Sequence, residues 1–385
     1  MLFSKPKSYL GIDVGAGGVK MVELREEKKR PALWTYGLTT GSQDIHKVAS
    51  VASEKTVDDL LRKREGGAAT EKKTSGAGFV AMIDEAKAQK YADTIRAVRK
   101  NAKTVSTIAT VSLPVSSVFH ALVVLPVVNK NELDPILKAE AKKLLPRPVE
   151  EMALDYHILP SSTESKTQKV IINAVPRELV SFYSRVFQLA GLSLDALEPE
   201  SAALARALIG RDTSLSMLID MGAERTSFFI VDQSVPITHR SIESGGNKIN
   251  SIMQNILDID WKWGEQVKYD LMEYFSSLGS AADPNKFLDI FMPVIDPIIK
   301  EIEYSFDIYL KQTGNEGKRP EKIILTGGAA IMPFLPQYIS ERFKIKCYVG
   351  DPWGRVIYQE GLRPVLRQIG PRMSVAVGLA LRNMV

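Results

Sequence analysis

Two stretches in opposite halves of the chain carry one design, and that repetition restricts the fold more than any other feature of the sequence. The first is Ile12-Asp13-Val14-Gly15-Ala16-Gly17-Gly18-Val19-Lys20, and the second is Leu218-Ile219-Asp220-Met221-Gly222-Ala223-Glu224-Arg225-Thr226. Each is an apolar strand that ends in Asp-x-Gly and turns back into another apolar strand, Met21–Leu24 or Ser227–Val231. Such a hairpin leaves backbone N–H groups at its tip outside the ladder, where they can cradle an anion. Glycine lets a phosphate approach closely, and the Asp can hold a Mg²⁺ through water. One Asp-x-Gly alone is ordinarily a tight turn. Two facing copies would grip the phosphates of one nucleotide from both sides.

A third piece, Lys322-Ile323-Ile324-Leu325-Thr326-Gly327-Gly328-Ala329-Ala330, runs a buried strand into Gly-Gly before a helix. Backbone there can lie flat against a planar base or a ribose. The remaining composition narrows the class. With 385 residues, 45% of them hydrophobic, the chain can bury a large core and is expected to split into two lobes. A net charge of +5 permits contact with an anionic surface without demanding it. No basic run is interleaved with aromatics, so nucleic acid is not an expected partner. Cys347 is the only cysteine, which excludes an internal disulfide, and it reads as a half-buried core thiol. His46, His120, His157 and His239 lack metal-ligand spacing. No run approaches the length of a bilayer span, and Ser4-Lys5-Pro6-Lys7 leads into a strand without a signal-peptide core, so a cytosolic protein is expected.

Along the chain, strands are expected at Tyr9–Asp13, Val19–Leu24 and Ala32–Leu38. From about Ser42 to Gly78 the composition turns to Ala, Ser, Thr, Gly and Lys. A flexible insertion is expected there, with a charged helix over Asp44–Glu65 as one option. A helix over Ile83–Asn101 and a strand over Thr107–Leu113 follow. Next come a strand at Phe119–Leu125, a helix capped by Asn131 and ended by Pro146, and strands at Leu154–Leu159 and Lys169–Ala174. Helices Arg177–Ala190 and Glu200–Ile209 flank a strand at Leu194–Leu197. A second lobe starts at Leu215, its outer part largely helical with a helix at Asp296–Leu310, and the chain closes in an apolar helix near Met373–Asn383.

Taken in order, the phosphate, phosphate and adenosine pieces resemble the motifs of the actin-like ATPase superfamily, and most closely those of the PilM family of type IV pilus assembly. Residues 9–24 look like that family's opening strand pair, and Leu145-Pro146-Arg147-Pro148-Val149-Glu150-Glu151 to Leu154-Asp155-Tyr156 looks like its inserted subdomain. Gly245-Gly246-Asn247, Glu301-Ile302-Glu303-Tyr304-Ser305, Gly350-Asp351-Pro352-Trp353 and Val375-Ala376-Val377-Gly378-Leu379-Ala380-Leu381-Arg382 extend the match. The implied fold is α/β, two-lobed and actin-like (ribonuclease H-like), with a small strand-helix-strand-strand insert in the first lobe. Its implied domains are a first-lobe core over 1–114 and 177–213, interrupted by an insertion at about 42–78, and an inserted subdomain over 115–176. The second-lobe core covers 214–245 and 321–385, with an outer subdomain at 246–320.

The resemblance also implies roles. Asp13 and Asp220 would share the Mg²⁺ shell. Gly15, Ala16 and Gly17 would lend N–H groups to phosphate, as would Gly222 and Thr226 from the other side, with Lys20 as the phosphate-proximal lysine. Gly245 and Gly246 would place a helix N-terminus at phosphate or ribose. Gly264-Glu265-Gln266-Val267-Lys268 looks like the family's Ala-Glu-x-x-Lys element, with Glu265 toward the ribose and Lys268 by the base; Gly264 replaces the alanine, and Trp261 and Trp263 precede it. Gly327 and Gly328 would face the adenosine. Glu200 is the candidate for orienting an attacking water, although an acid at a helix start is also favoured by the helix dipole.

The implied ligands are ATP and Mg²⁺, with at most slow hydrolysis. The implied partner is the N-terminal cytoplasmic tail of a PilN-like inner-membrane protein, with peripheral membrane association through it and possible self-association. The tail would bind between the first lobe and the insert. A related secretion-system scaffold of similar shape stays open beside the pilus reading; an FtsA-like division scaffold is the alternative, disfavoured because no membrane helix follows Arg382. A small-molecule kinase is a weaker one, since no Asn-Asp pair or similar base cluster stands where its substrate would lie.

Overall fold

A computed structural model describes residues 7–40, 83–159, 166–258, 260, 263–278, 284–312, 315 and 317–384. The 42–78 insertion, with the optional helix at Asp44–Glu65, lies outside the described residues. Two five-stranded sheets are built on one plan. In the first, β1 (Ser8–Gly15), β2 (Gly18–Glu27) and β3 (Arg30–Leu38) form an antiparallel meander, and β4 (Ile108–Leu113) and β8 (Ser193–Pro199) add in parallel on the far side of β1. The second repeats this order with β9 (Ser216–Met221), β10 (Thr226–Asp232), β11 (Val235–Ile242), β12 (Lys322–Thr326) and β13 (Lys346–Val349). Asp13 and Asp220 therefore sit at equivalent ends of equivalent central strands. The strands flanked on both faces read as near-continuous apolar runs because both faces are buried.

Helices cover the sheets and join them. α1 (Glu85–Ala102) and α3 (Arg177–Leu189) pack on the first sheet through Tyr91, Ile95, Phe182 and Phe187. The N-cap Asp84 accepts from the Lys87 N–H at 2.9 Å. α4 (Glu200–Leu208) and the last helix, α9 (Arg363–Ala380), share the space between the sheets, with Val22, Leu24, Ala376 and Val377 in one cluster and Leu204, Leu218, Phe229 and Leu379 in the next. The outer face of the second sheet carries α5 (Gly246–Leu257), α7 (Pro284–Leu310) and α8 (Leu335–Phe343), while α6 (Gly264–Leu278) packs on α5. Cys347 packs at the margin of this core, half-buried as expected, and burial pushes its thiol up to about 12.

Between β4 and α3 lies a three-stranded sheet, β5 (Phe119–Pro126), β7 (Thr167–Pro176) and β6 (Met152–Ile158), covered by α2 (Lys130–Leu144). Leu133, Leu137 and Ala141 lock that helix onto Leu125, Val170 and Ile172. Its cap residue is Asn129, two residues earlier than the expected Asn131, and its side chain makes no capping bond among the described residues.

Two helices start well before their expected residues. α7 begins at Pro284 rather than Asp296 and runs through Pro293 and Pro297. α9 begins at Arg363 rather than Met373 and runs through Pro371. An internal proline ordinarily ends a helix, since it removes a hydrogen bond and crowds the preceding turn. Here Phe287, Phe291, Val294 and Ile295 in the one, and Leu366 in the other, bury enough surface upstream to offset that cost.

Candidate functional site

The two hairpin tips face each other across a cleft of about 470 Å³ lined by both lobes. At the first tip the β1–β2 ladder closes at the Gly15–Gly18 pair, leaving Ala16 and Gly17 as a two-residue loop. Asp13 is 5% exposed, and its carboxylate accepts from the Ser112 hydroxyl on β4 at 2.7 Å and from the Lys20 ammonium at 3.1 Å. At the second tip Gly222 N–H closes on the Arg225 carbonyl at 2.9 Å. The tips nearly touch: a Cβ on Gly17 would stand 3.1 Å from that of Ala223.

Asp220 is treated differently from Asp13. No hydrogen bond to its carboxylate is made among the described residues. Burial, reinforced by the charge of Asp13, pushes its pKa up to about 7. Glu200, at the start of α4, accepts from Val115 N–H at 3.4 Å, and burial together with the charges of Asp13 and Asp220 holds its pKa well above the carboxylate range. Three acids thus repel one another around one space. That excess of negative charge suits a cation. Among the described residues no three His, Cys, Asp or Glu side chains converge on one metal-sized point. A cation here would be held by one or two carboxylates, with waters and phosphate oxygens completing its shell, which is how Mg²⁺ is commonly bound.

Most expected site residues line this cleft. Asp13, Gly15, Ala16, Gly17 and Lys20 do so from the first lobe with Glu200. Asp220, Gly222, Gly246, Lys268, Gly327 and Gly328 do so from the second. Gly327 adopts φ +89°, and a Cβ there would lie 2.5 Å from Asp220 Oδ1, so the adenosine-side turn and the Asp220 carboxylate are packed together. Lys268 is buried and donates to Asn250 Oδ1 at 3.3 Å.

Two expectations need amending. Thr226 does not line the cleft: its buried hydroxyl donates to the Ser244 carbonyl at 2.5 Å, and Ser227 lines it instead. In a strand, neighbouring side chains point to opposite faces, and Thr226 is on the wrong one. Gly245 and the N-terminus of α5 serve the hairpin. Gly246 and Asn247 N–H groups donate to the Gly222 and Ala223 carbonyls at 2.9 and 2.8 Å, and a Cβ on Gly245 would come within 2.6 Å of the Gly222 carbonyl. Those two N–H groups are committed to the fold. Glu265 lies on α6, and its side chain is outside the described residues. Gly264 stands where the family motif has alanine because a Cβ would press to 3.2 Å on Asn250, the residue that receives Lys268.

Sequence reasoning missed Ser112, Asn250 and Arg372. Arg372 lines the cleft beside Gly328 and donates to the Tyr269 hydroxyl at 3.2 Å. An arginine directly before the apolar run Met373–Leu381 was the available signal. Ser112 and Asn250 carry none, because only tertiary packing brings them to Asp13 and Lys268.

Comparison with known proteins places this geometry. A solved PilM-PilN type IV pilus biogenesis complex superposes with a TM-score of 0.74 over 99% of this chain and 100% of that chain, at 20% identity. The ethanolamine utilization protein EutJ from Carboxydothermus hydrogenoformans follows with a TM-score of 0.50 over 98% and 90%, at 13% identity. The repeated sheets, the shared inner helices and the cleft between them are a two-lobed actin-like fold. The sequence pattern of the family described as type IV pilus assembly protein PilM matches residues 72–384, which is most of the chain. The chain belongs to that family.

Proposed function

We propose that this chain is an ATP-binding scaffold of type IV pilus assembly, whose nucleotide state sets its grip on an inner-membrane partner. The observation that carries the reading is the meeting of Asp13, Asp220 and Glu200 beneath two hairpin tips. A bound Mg²⁺ would neutralise part of this charge and that of the phosphates. Asp13 and Asp220 are the residues to hold it. Gly15, Ala16 and Gly17 supply tip backbone to the phosphates, and Lys20, now on Asp13, can turn to them. Gly327, Gly328 and Lys268 offer the base side. Thr226 and Gly245 keep only a structural share.

Glu200 has the position to orient a water, but its bond to Val115 also links the cleft to the chain entering the insert. Nucleotide can therefore act by preferring one lobe arrangement over another, which requires no rapid turnover. The partner reading leans on family membership and on the neighbouring complex, which contains PilN. It assigns to this chain the N-terminal cytoplasmic tail of a PilN-like protein, and membrane association through that protein.

Calorimetry tests both halves. MgATP is titrated into the protein with and without a peptide from the tail of a PilN-like protein, and then into Asp220→Asn. The reading requires MgATP binding, its loss in the variant, and a peptide-induced change in ATP affinity matched by an equal reciprocal change. Binding of peptide with no reciprocal effect removes the nucleotide control, and no binding of MgATP removes the reading altogether.

A further inference from the structure

Two imidazoles meet where the insert touches the second lobe. His120 of β5 stacks on His239 of β11, with ring centroids 3.7 Å apart and planes 17° from parallel. Phe229 of β10 stands edge-on to His239 at 5.3 Å. Asn173 Oδ1 lies 2.9 Å from His120 Nδ1, whereas both ring nitrogens of His239 are buried without a hydrogen-bond partner among the described residues. An orphaned buried polar group carries a desolvation cost that a phenylalanine would avoid. Packing alone does not explain a histidine here.

The stack sits in a real interface. Leu122 and Ile171, cross-strand neighbours on the same face of the insert's sheet as His120 and Asn173, pack into the second-lobe core. On its other side the insert is tied to the first lobe by Arg147, which donates to Glu178 of α3 at 2.7 Å, and by Arg177, which donates to the Glu150 carbonyl at 3.0 Å. The insert therefore bridges the lobes. The strands carrying the two histidines also border the cleft: Val115 and Ser116 lead into β5, and Ser241 on β11 follows His239, all three lining it.

The charged groups around β11 are otherwise engaged. Glu200 on α4 receives Val115 N–H, and Arg206 bonds the Gly378 carbonyl and Glu198. Glu301 on α7 pairs with Arg240, and Asp232 at the end of β10 acts on Tyr309. Residues 115–117 contribute no charge. The groups acting on the rings are Asn173, the Ile237 backbone and the rings themselves. Burial, and for His239 also the charge His120 would bear, holds both below the ordinary histidine range.

We propose that the His120–His239 stack is an acid-released latch: neutral rings hold the insert against the second lobe, and a proton on either one drives them apart. An exposed imidazole takes up its proton near pH ~6.5. The stacked rings resist protonation, so the latched state is fully favoured above that value and weakens as pH falls below it.

The test is amide hydrogen exchange on the full chain, corrected for intrinsic rates, together with imidazole NMR of the same samples. Between pH 7 and 5.5, protection of β5 and β11 should fall about tenfold per proton taken up while the two sheet centres hold, and it should stay within about twofold in His239→Phe. The wild-type rings should titrate below the range of exposed histidines and together with that loss. Equal pH responses in wild type and variant overturn the latch. So do rings that titrate normally with protection unchanged, a result that needs no variant and therefore stands even if His239→Phe fails to fold.

Discussion

The two Asp-x-Gly hairpins share a sequence design and a place in their sheets, yet the structure treats them oppositely. The first is electrostatically satisfied, and its tip is held by packing, with Ala16 buried in the first-lobe core. Asp13 is held by Lys20 and Ser112, while its Ala16–Gly17 tip projects beyond the ladder. The second is electrostatically strained and mechanically fixed. Asp220 is half-buried and no hydrogen bond reaches its carboxylate among the described residues, while the Gly222 and Ala223 carbonyls are pinned by the N-terminus of α5. A duplicated motif thus yields one tip held by packing and one held by a helix N-terminus, and the electrostatic strain lies where a cation would relieve it.

The comparison can be broken most sharply at the glycines. Gly245→Ala should cost about 3 kcal/mol or more, because its Cβ would press on the Gly222 carbonyl at 2.6 Å and separate α5 from the fixed tip; urea unfolding measures it. A cost below about 1 kcal/mol would mean that the α5 N-terminus does not hold the second tip.

Next come the two acids, where one chemical change should have opposite signs. Asp13→Asn removes the partner of a buried Lys20 and should destabilise the nucleotide-free protein at pH 8 by about 2–3 kcal/mol. Asp220→Asn should stabilise it by about 1–4 kcal/mol, since the folded pKa is raised from 3.8 to about 7. The sign follows from the raised value: the penalty of ionising Asp220 is absent below pH ~4, grows as pH rises toward ~7, and is complete above it. Thermal unfolding between pH 4 and 8 should show that slope in wild type and lose it in Asp220→Asn. Both variants should lose MgATP binding.

Smaller effects separate fold from ligand. Thr226→Val should cost about 1 kcal/mol through its bond to Ser244 and leave MgATP affinity unchanged, as read by calorimetry. Gly17→Ala should cost about 1 kcal/mol, since its Cβ would press to 3.1 Å on Ala223, and should weaken MgATP by crowding the tip. A weakened ligand in the first variant, or an unaffected one in the second, would reverse which residue belongs to the site.

The sequence alone determined the two hairpins with their acids, Asp13 and Asp220, and the Gly-Gly turn at 327–328. Those features are local: an apolar run ending in Asp-x-Gly fixes its own turn, and periodicity fixes which face is buried. Tertiary structure decided the rest. It set which side of β10 Thr226 occupies relative to the cleft, and it spent the N-terminus of α5 on a hairpin. It carried α7 and α9 through prolines that local propensity reads as stops. It delivered Ser112, Asn250 and Arg372 to partners far away in sequence, and it brought His120 onto His239 across two subdomains. Burial, charge proximity and close packing depend on groups distant along the chain, and no local pattern records them.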